Sequence, residues 1–185
     1  MKVVVPEEPD LILIQEPYEY QNRAAIVIIN SKIDTILIAK LSDEDTVFLE
    51  IIHENLRFFV ASMYFDIEDR IENNFTKMVG LMRFVKGGGI LIAVDSNARS
   101  KMWHDVKTNS RGRKMEEYLA NKQLHVINEE TDRFTFHNSR GSMCVCVCAR
   151  VYVRTCVSRH TESSTAAMSH ILCMVEQCWK ATSLC

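Results

Sequence analysis

Five short apolar runs fill the first third of the chain. Leu11–Ile14 is continuously apolar and stops at Gln15-Glu16-Pro17, where the proline holds Glu16 extended. Ala24–Ile29, Ile36–Leu41, Val47–Ile52 and Leu56–Tyr64 follow, rich in the Ile, Val and Phe that suit strands. Between them, Asn30-Ser31, Ser42-Asp43-Glu44-Asp45 and His53-Glu54-Asn55 carry turn chemistry. The pattern predicts an antiparallel meander of hairpins.

The hydrophobic period then lengthens. Asp66 is placed to cap a helix with Glu68 and Asp69 in its first turn, and Ile71, Phe75, Met78, Val79 and Met82 recur on one face. Gly87-Gly88-Gly89 ends that helix, and Ile90–Val94 is a buried strand. Strand, helix and strand in this order predict a right-handed crossover between parallel strands. After a basic loop, a second helix is predicted from about Arg111 to Lys122, with Met115, Tyr118 and Leu119 inward. Leu124–Ile127 and Arg133–Phe136 read as short strands. The expected class is mixed α/β, with helices covering a sheet or a pair of sheets.

Length allows one domain: 185 residues leave little room for a second core. With 47% hydrophobic and 25% charged residues, the chain is too apolar for intrinsic disorder. No apolar run reaches the roughly 18 residues of a membrane span, and proline and acid interrupt the N-terminus before a signal-peptide core forms. A soluble intracellular protein is expected, nuclear if it is expressed.

The net charge of −2 hides a gradient. Residues 1–95 hold 9 Lys/Arg against 16 Asp/Glu, whereas residues 96–142 hold 9 against 6. The acidic part is suited to metal ions and the basic stretch to an anionic substrate.

All 7 cysteines lie at or beyond Cys144. A disulfide framework would spread its cysteines through the fold, and Cys144-x-Cys146-x-Cys148 lacks zinc-site spacing. The run from Met143 to Val157 is low in complexity, and alternating purine and pyrimidine bases can encode all of it. The expected division is therefore a partial domain over 1–142 and an unrelated cysteine-rich tail over 143–185 that does not join the core.

Three motifs fail on context. Gly87–Gly89 follows a helix and precedes a strand, the reverse of a phosphate loop. His53-Glu54 lacks the second histidine of a zinc-protease helix, because Arg57 stands there. Asn74-Phe75-Thr76 is a glycosylation sequon inside a helix.

The strand ends are more informative. Glu16 follows Leu-Ile-Leu-Ile-Gln, Tyr64 ends Phe-Phe-Val-Ala-Ser-Met, and Asp95-x-Asn97 follows Ile-Leu-Ile-Ala-Val. A carboxylate beside a buried strand is costly unless a metal or a donor compensates it. Two carboxylates, a phenol and an amide at strand exits suit a divalent-metal phosphodiester site, because Mg²⁺ prefers carboxylate oxygens and water. Each also has an ordinary account: Asp-Ser-Asn makes a good turn, and tyrosine ends many strands. Further along, Arg99, Lys101, Trp103, His104, Lys107, Arg111, Arg113 and Lys114 set positive charge beside an aromatic, as backbone contact and base stacking require. A solvated basic face with Trp103 partly packed is the alternative.

Leu-Ile-Gln15-Glu16-Pro17-Tyr18, Ala61-Ser62-Met63-Tyr64-Phe65, Ala93-Val94-Asp95-Ser96-Asn97-Ala98-Arg99-Ser100-x-x-Trp103 and Thr108-Asn109-x-Arg111-Gly112 occur in that order. Together they resemble the endonuclease domain of non-LTR retrotransposons, in the endonuclease/exonuclease/phosphatase superfamily. The similarity runs from about Asp10 to Ser142. It implies a four-layer α/β sandwich, two facing mixed sheets flanked by helices, with the site at the top of the sheets. It further implies that Glu16 binds Mg²⁺ (or Mn²⁺), that Tyr64 contacts the scissile phosphate, and that Asp95 orients or deprotonates water with Asn97 beside it. DNA is the implied substrate, and a reverse transcriptase domain the implied partner in the parent polyprotein.

The same resemblance implies an earlier strand carrying an asparagine, and later Asn-x-Asp and Ser-Asp-His segments. None is seen here, and His160 and His170 lack that context. The expectation is a domain truncated at both ends and poor in catalysis. A non-catalytic nucleic-acid-binding remnant and a small-molecule phosphatase of the same superfamily stay open as alternatives.

Overall fold

The computed structural model describes residues 10–15, 22–53, 56–86, 88–128, 136–138, 141–143, 146–152 and 171–173. In chain order these form β1 (Leu11–Gln15), β2 (Ala24–Ile28), β3 (Asp34–Leu37), β4 (Thr46–His53), β5 (Leu56–Tyr64), α1 (Ile71–Val85), β6 (Gly89–Asp95), α2 (Ser110–Asn121), β7 (His125–Val126), β8 (Phe136–Asn138), β9 (Gly141–Met143), β10 (Cys146–Tyr152) and β11 (Ile171–Cys173). A six-stranded sheet has the order β3-β4-β5-β6-β10-β7, and a three-stranded sheet has the order β11-β1-β2. β8 and β9 pair as a hairpin.

Side-chain alternation divides the core in two. Phe59, Ala61 and Met63 of β5, with Ile90, Ile92 and Val94 of β6, face Met78 and Leu81 of α1 and Met115 and Leu119 of α2. The intervening Val60, Leu91 and Ala93 face the other way, onto Leu11 and Leu13 of β1. Helices, large sheet and small sheet therefore stack as three layers of the α/β sandwich among the described residues. The expected crossover is present: β5 and β6 are parallel neighbours joined through α1, with Tyr64 in register with Asp95.

Several details differ from the sequence-based expectations. The meander divides after β2. β1 and β2 form a hairpin in the small sheet, while β3, β4 and β5 continue in the large one. Leu11 and Leu13 are better buried on the face of the large sheet than at its edge. Asp66 does not cap α1. Its Oδ1 instead accepts from the Glu68 amide at 2.9 Å in a local turn, and the helix begins at Ile71. At the other end of α1, Lys86 takes the left-handed conformation with φ of 47°.

The largest difference lies beyond residue 142. β10, in the stretch expected not to join the core, pairs antiparallel with β6 along its whole length, from Cys146 opposite Asp95 to Tyr152 opposite Gly89. β11 pairs in parallel with β1. A central strand buried on both faces must satisfy the peptide groups of both its edges, and the Val/Cys run has a strand's composition. Arg133–Thr135 of the last expected strand lie outside the described residues.

Candidate active site

The candidate site lies where β5 and β6 end. By alternation, Ser62 and Tyr64 of β5 and Asp95 of β6 share the face turned toward the small sheet, the face of Val60, Leu91 and Ala93. Gln15 reaches it from β1: its Nε2 donates to Ser62 Oγ at 2.8 Å, and that hydroxyl donates to the Ile14 carbonyl at 2.9 Å. Among the described residues, the Gln15 Oε1 is buried without a hydrogen-bond partner. Glu16, the next residue, lies outside the described residues.

Asp95 is 2% exposed and Tyr64 8%. In adjacent parallel strands about 4.8 Å apart, their register makes them side-by-side neighbours. Asp95 Oδ1 accepts from the Asn97 amide at 3.0 Å, which closes the turn leaving β6. Asn97 sits in the left-handed region at φ 48°, a conformation asparagine tolerates well, and its Nδ2 donates to the Phe65 carbonyl at 3.1 Å. The amide therefore fastens the exit of β6 to the exit of β5.

The basic segment divides into two sets. Arg111 points inward: its guanidinium donates to the carbonyls of Ser96 at 2.9 Å, Asp69 at 2.8 Å and Asp66 at 2.8 Å, with a longer contact to Phe65. Burial holds its pKa below the ordinary arginine value. Arg99 forks onto the buried Asp105, with its Nη2 at 2.7 Å. Trp103 is 1% exposed and donates from Nε1 to the Ala98 carbonyl at 3.2 Å. These three were expected to touch nucleic acid, and their donors and ring are spent on the protein instead. Lys114 is held by Glu72 at 2.6 Å. Lys101, His104, Lys107 and Arg113 remain exposed, with His104 Nε2 3.2 Å from the Asn128 carbonyl.

The Ser-x-x-Trp and Thr-Asn-x-Arg-Gly motifs thus form a clasp around the β6 exit. Ser100 Oγ accepts from Met102 at 2.9 Å, turning the chain so that Trp103 enters the core. Asn109 Oδ1 accepts from both Gly112 at 2.7 Å, capping α2, and Arg99 at 3.2 Å. A Cβ on Gly112 would lie 1.9 Å from the Arg99 carbonyl oxygen, so glycine is required there. Asp105 escaped the sequence reading because nothing local marks an acid as the partner of Arg99.

The comparisons with known proteins bear on this geometry. The sequence profile described as endonuclease-reverse transcriptase matches residues 58–166, more than half of the chain. The chain belongs to the endonuclease-reverse transcriptase family. The match takes in both strand exits, the clasp and β10. Among solved structures, the endonuclease domain of TRAS1, a telomere-specific non-LTR retrotransposon, is similar with a TM-score of 0.69 and 25% identity, covering 76% of this chain and 72% of that one. No curated protein sequence matches. The endonuclease-domain fold accounts for the two sheets and the helical layer.

Among the described residues, no three His, Cys, Asp or Glu side chains gather to hold a metal. The donors at the site are nevertheless hard oxygens, the Asp95 carboxylate and the orphaned Gln15 amide oxygen. That donor set fits a magnesium-type ion, which keeps several waters and needs few protein ligands. Also among the described residues, no helix is long and apolar enough to cross a membrane.

Proposed function

We propose that this chain is the DNA-nicking part of a retrotransposon protein, hydrolysing phosphodiesters with Mg²⁺ or Mn²⁺ beside a reverse transcriptase domain in the parent polyprotein. The observation that carries this reading is the register of Tyr64 with Asp95 at the exits of two parallel strands, both on the face turned toward the small sheet. Water attacks phosphorus in line, the sugar oxygen leaves, and Asp95 receives the proton of the attacking water. The Tyr64 phenol contacts the scissile phosphate, and Asn97 holds the Asp95 turn against Phe65. Glu16 is the residue that would hold the metal, which when bound would neutralise charge developing on the phosphate. Exposed Lys101, His104, Lys107 and Arg113 face the DNA backbone.

The resemblance also implies an asparagine, an aspartate and a histidine beside these residues, and a chain supplied with them is expected to nick faster. The test is relaxation of supercoiled plasmid with and without Mg²⁺. It uses this chain and a chimera that joins family segments bearing those three residues to residues 10–142. Slow nicking by the chain, faster nicking by the chimera, and loss of both on Asp95→Asn is the expected result. Nicking that survives Asp95→Asn overturns the assignment, and release of phosphate from small phosphomonoesters without nicking favours a phosphatase instead.

A further inference from the structure

We propose that Arg23, at the start of β2, is a positioning residue that fixes Tyr64 beside Asp95. The proposal rests on the function just described and adds a residue from the opposite sheet. Arg23 Nε and Nη2 fork onto both carboxylate oxygens of Asp45, at 2.6 and 2.9 Å, and its Nη1 bonds to Asp66. Its guanidinium carbon lies 5.1 Å from the centre of the Tyr64 ring. The backbone joins in: the Arg23 amide donates to the Glu44 carbonyl at 2.6 Å, and the Tyr64 amide donates to the Asp45 carbonyl at 2.9 Å.

These contacts close a small frame around one phenol. Asp45 lies just before β4, Asp66 lies two residues past Tyr64, and Arg23 comes from the small sheet. One planar cation therefore binds both flanks of the β5 exit and covers the ring between them. The side chain is 35% exposed, so it is partly open to solvent at the β5 exit.

Its charge is already committed. One guanidinium faces two carboxylates, and these take three of its five N–H donors. Hydrogen bonding to Asp45 raises the Arg23 pKa, and the turn amide of Glu68 together with Arg23 keeps Asp66 below the usual carboxylate range. Such an arginine orients its neighbours; it has little charge left for phosphate. It also cancels about half of the negative charge that Asp45 and Asp66 would present to incoming DNA. A lysine would supply the charge without the planar fork or the stacking surface.

The two contributions can be separated. With 3-fluorotyrosine in the full chain, the Tyr64 fluorine resonance is assigned through Tyr64→Phe and followed in Arg23→Lys. The expected result is a shifted and broadened Tyr64 signal, with the Tyr118 signal unmoved. For Mg²⁺-dependent nicking, Arg23→Lys is expected to lower kcat about tenfold with KM for DNA unchanged, whereas Arg23→Ala raises KM as well. If Arg23→Lys does not fold, Asp45→Asn weakens the same fork and is read in the same way. A Tyr64 signal that stays in place in the folded variant overturns the proposal. If neither the chain nor the chimera nicks DNA, the functional reading fails by itself, and the fluorine signal still decides the role of Arg23.

Discussion

The exits of β5 and β6 and the basic segment from Arg99 to Lys114 both carry motif residues, yet they use them in opposite ways. At the exits, Tyr64 and Asp95 share the face turned toward the small sheet and are placed by strand register. In the basic segment, Arg99, Trp103 and Arg111 turn inward and support those exits, and only a few cations remain toward solvent. A run of positive charge along a sequence therefore mixes two populations. What separates them is whether carbonyls and carboxylates lie within reach of the guanidinium.

The sharpest way to break this comparison is to remove the anchor. Trp103→Ala should destabilise the chain by about 3–5 kcal/mol, read by denaturant unfolding, because the whole indole is buried. A Trp103 that stacked on bases would cost DNA affinity and leave stability alone.

Arg111→Met comes next. The Ser96 and Asp69 carbonyls lose the guanidinium donor, while Phe65 keeps Asn97 and Asp66 keeps the Asp69 amide, and a buried unsatisfied carbonyl costs about 1–3 kcal/mol. Part of that is recovered by water at the exposed side, so a loss of about 3 kcal/mol is expected, together with slower nicking. Unchanged stability with weaker DNA binding would return Arg111 to the nucleic-acid surface.

Alkaline pH probes the helical layer behind the clasp. Burial pushes the Tyr118 phenol up to about 12, where its ring stacks on Phe75 at 4.2 Å between centroids. A raised pKa means that the folded state keeps the proton after the unfolded chain has lost it. Its stabilising contribution is therefore full below about pH 10 and is lost as pH rises toward 12, by about 2 kcal/mol. Tyr118→Phe should flatten that part of the stability profile.

The smallest effect on stability should come from the outward set. Lys101, Lys107 and Arg113 changed together to alanine should alter stability by no more than about 0.5 kcal/mol while reducing the salt dependence of DNA binding by about two to three ions. An unchanged salt slope would place the DNA on another face.

Much of this was legible in the chain itself. The apolar runs Leu56–Tyr64 and Ile90–Val94, separated by a helical period, gave the crossover, and the polar residues ending those strands marked the candidate site. What sequence could not supply was partnership across long separations. Arg23 meets Asp45 and Asp66, 22 and 43 residues away, and Gln15 meets Ser62, 47 residues away. The cysteine-rich run was misjudged for a related reason. Composition described it as low in complexity, whereas its pairing with β6 depends on an open strand edge that only the folded sheet presents.

The measurement that tests the central claim most directly is the rate of Mg²⁺-dependent plasmid nicking by the chimera before and after Asp95→Asn. Circular dichroism and unfolding serve to show that the fold is retained. Because the residues of such a site act as a unit, the account predicts a loss of at least about a hundredfold with the fold intact. Equal rates before and after the substitution would contradict it.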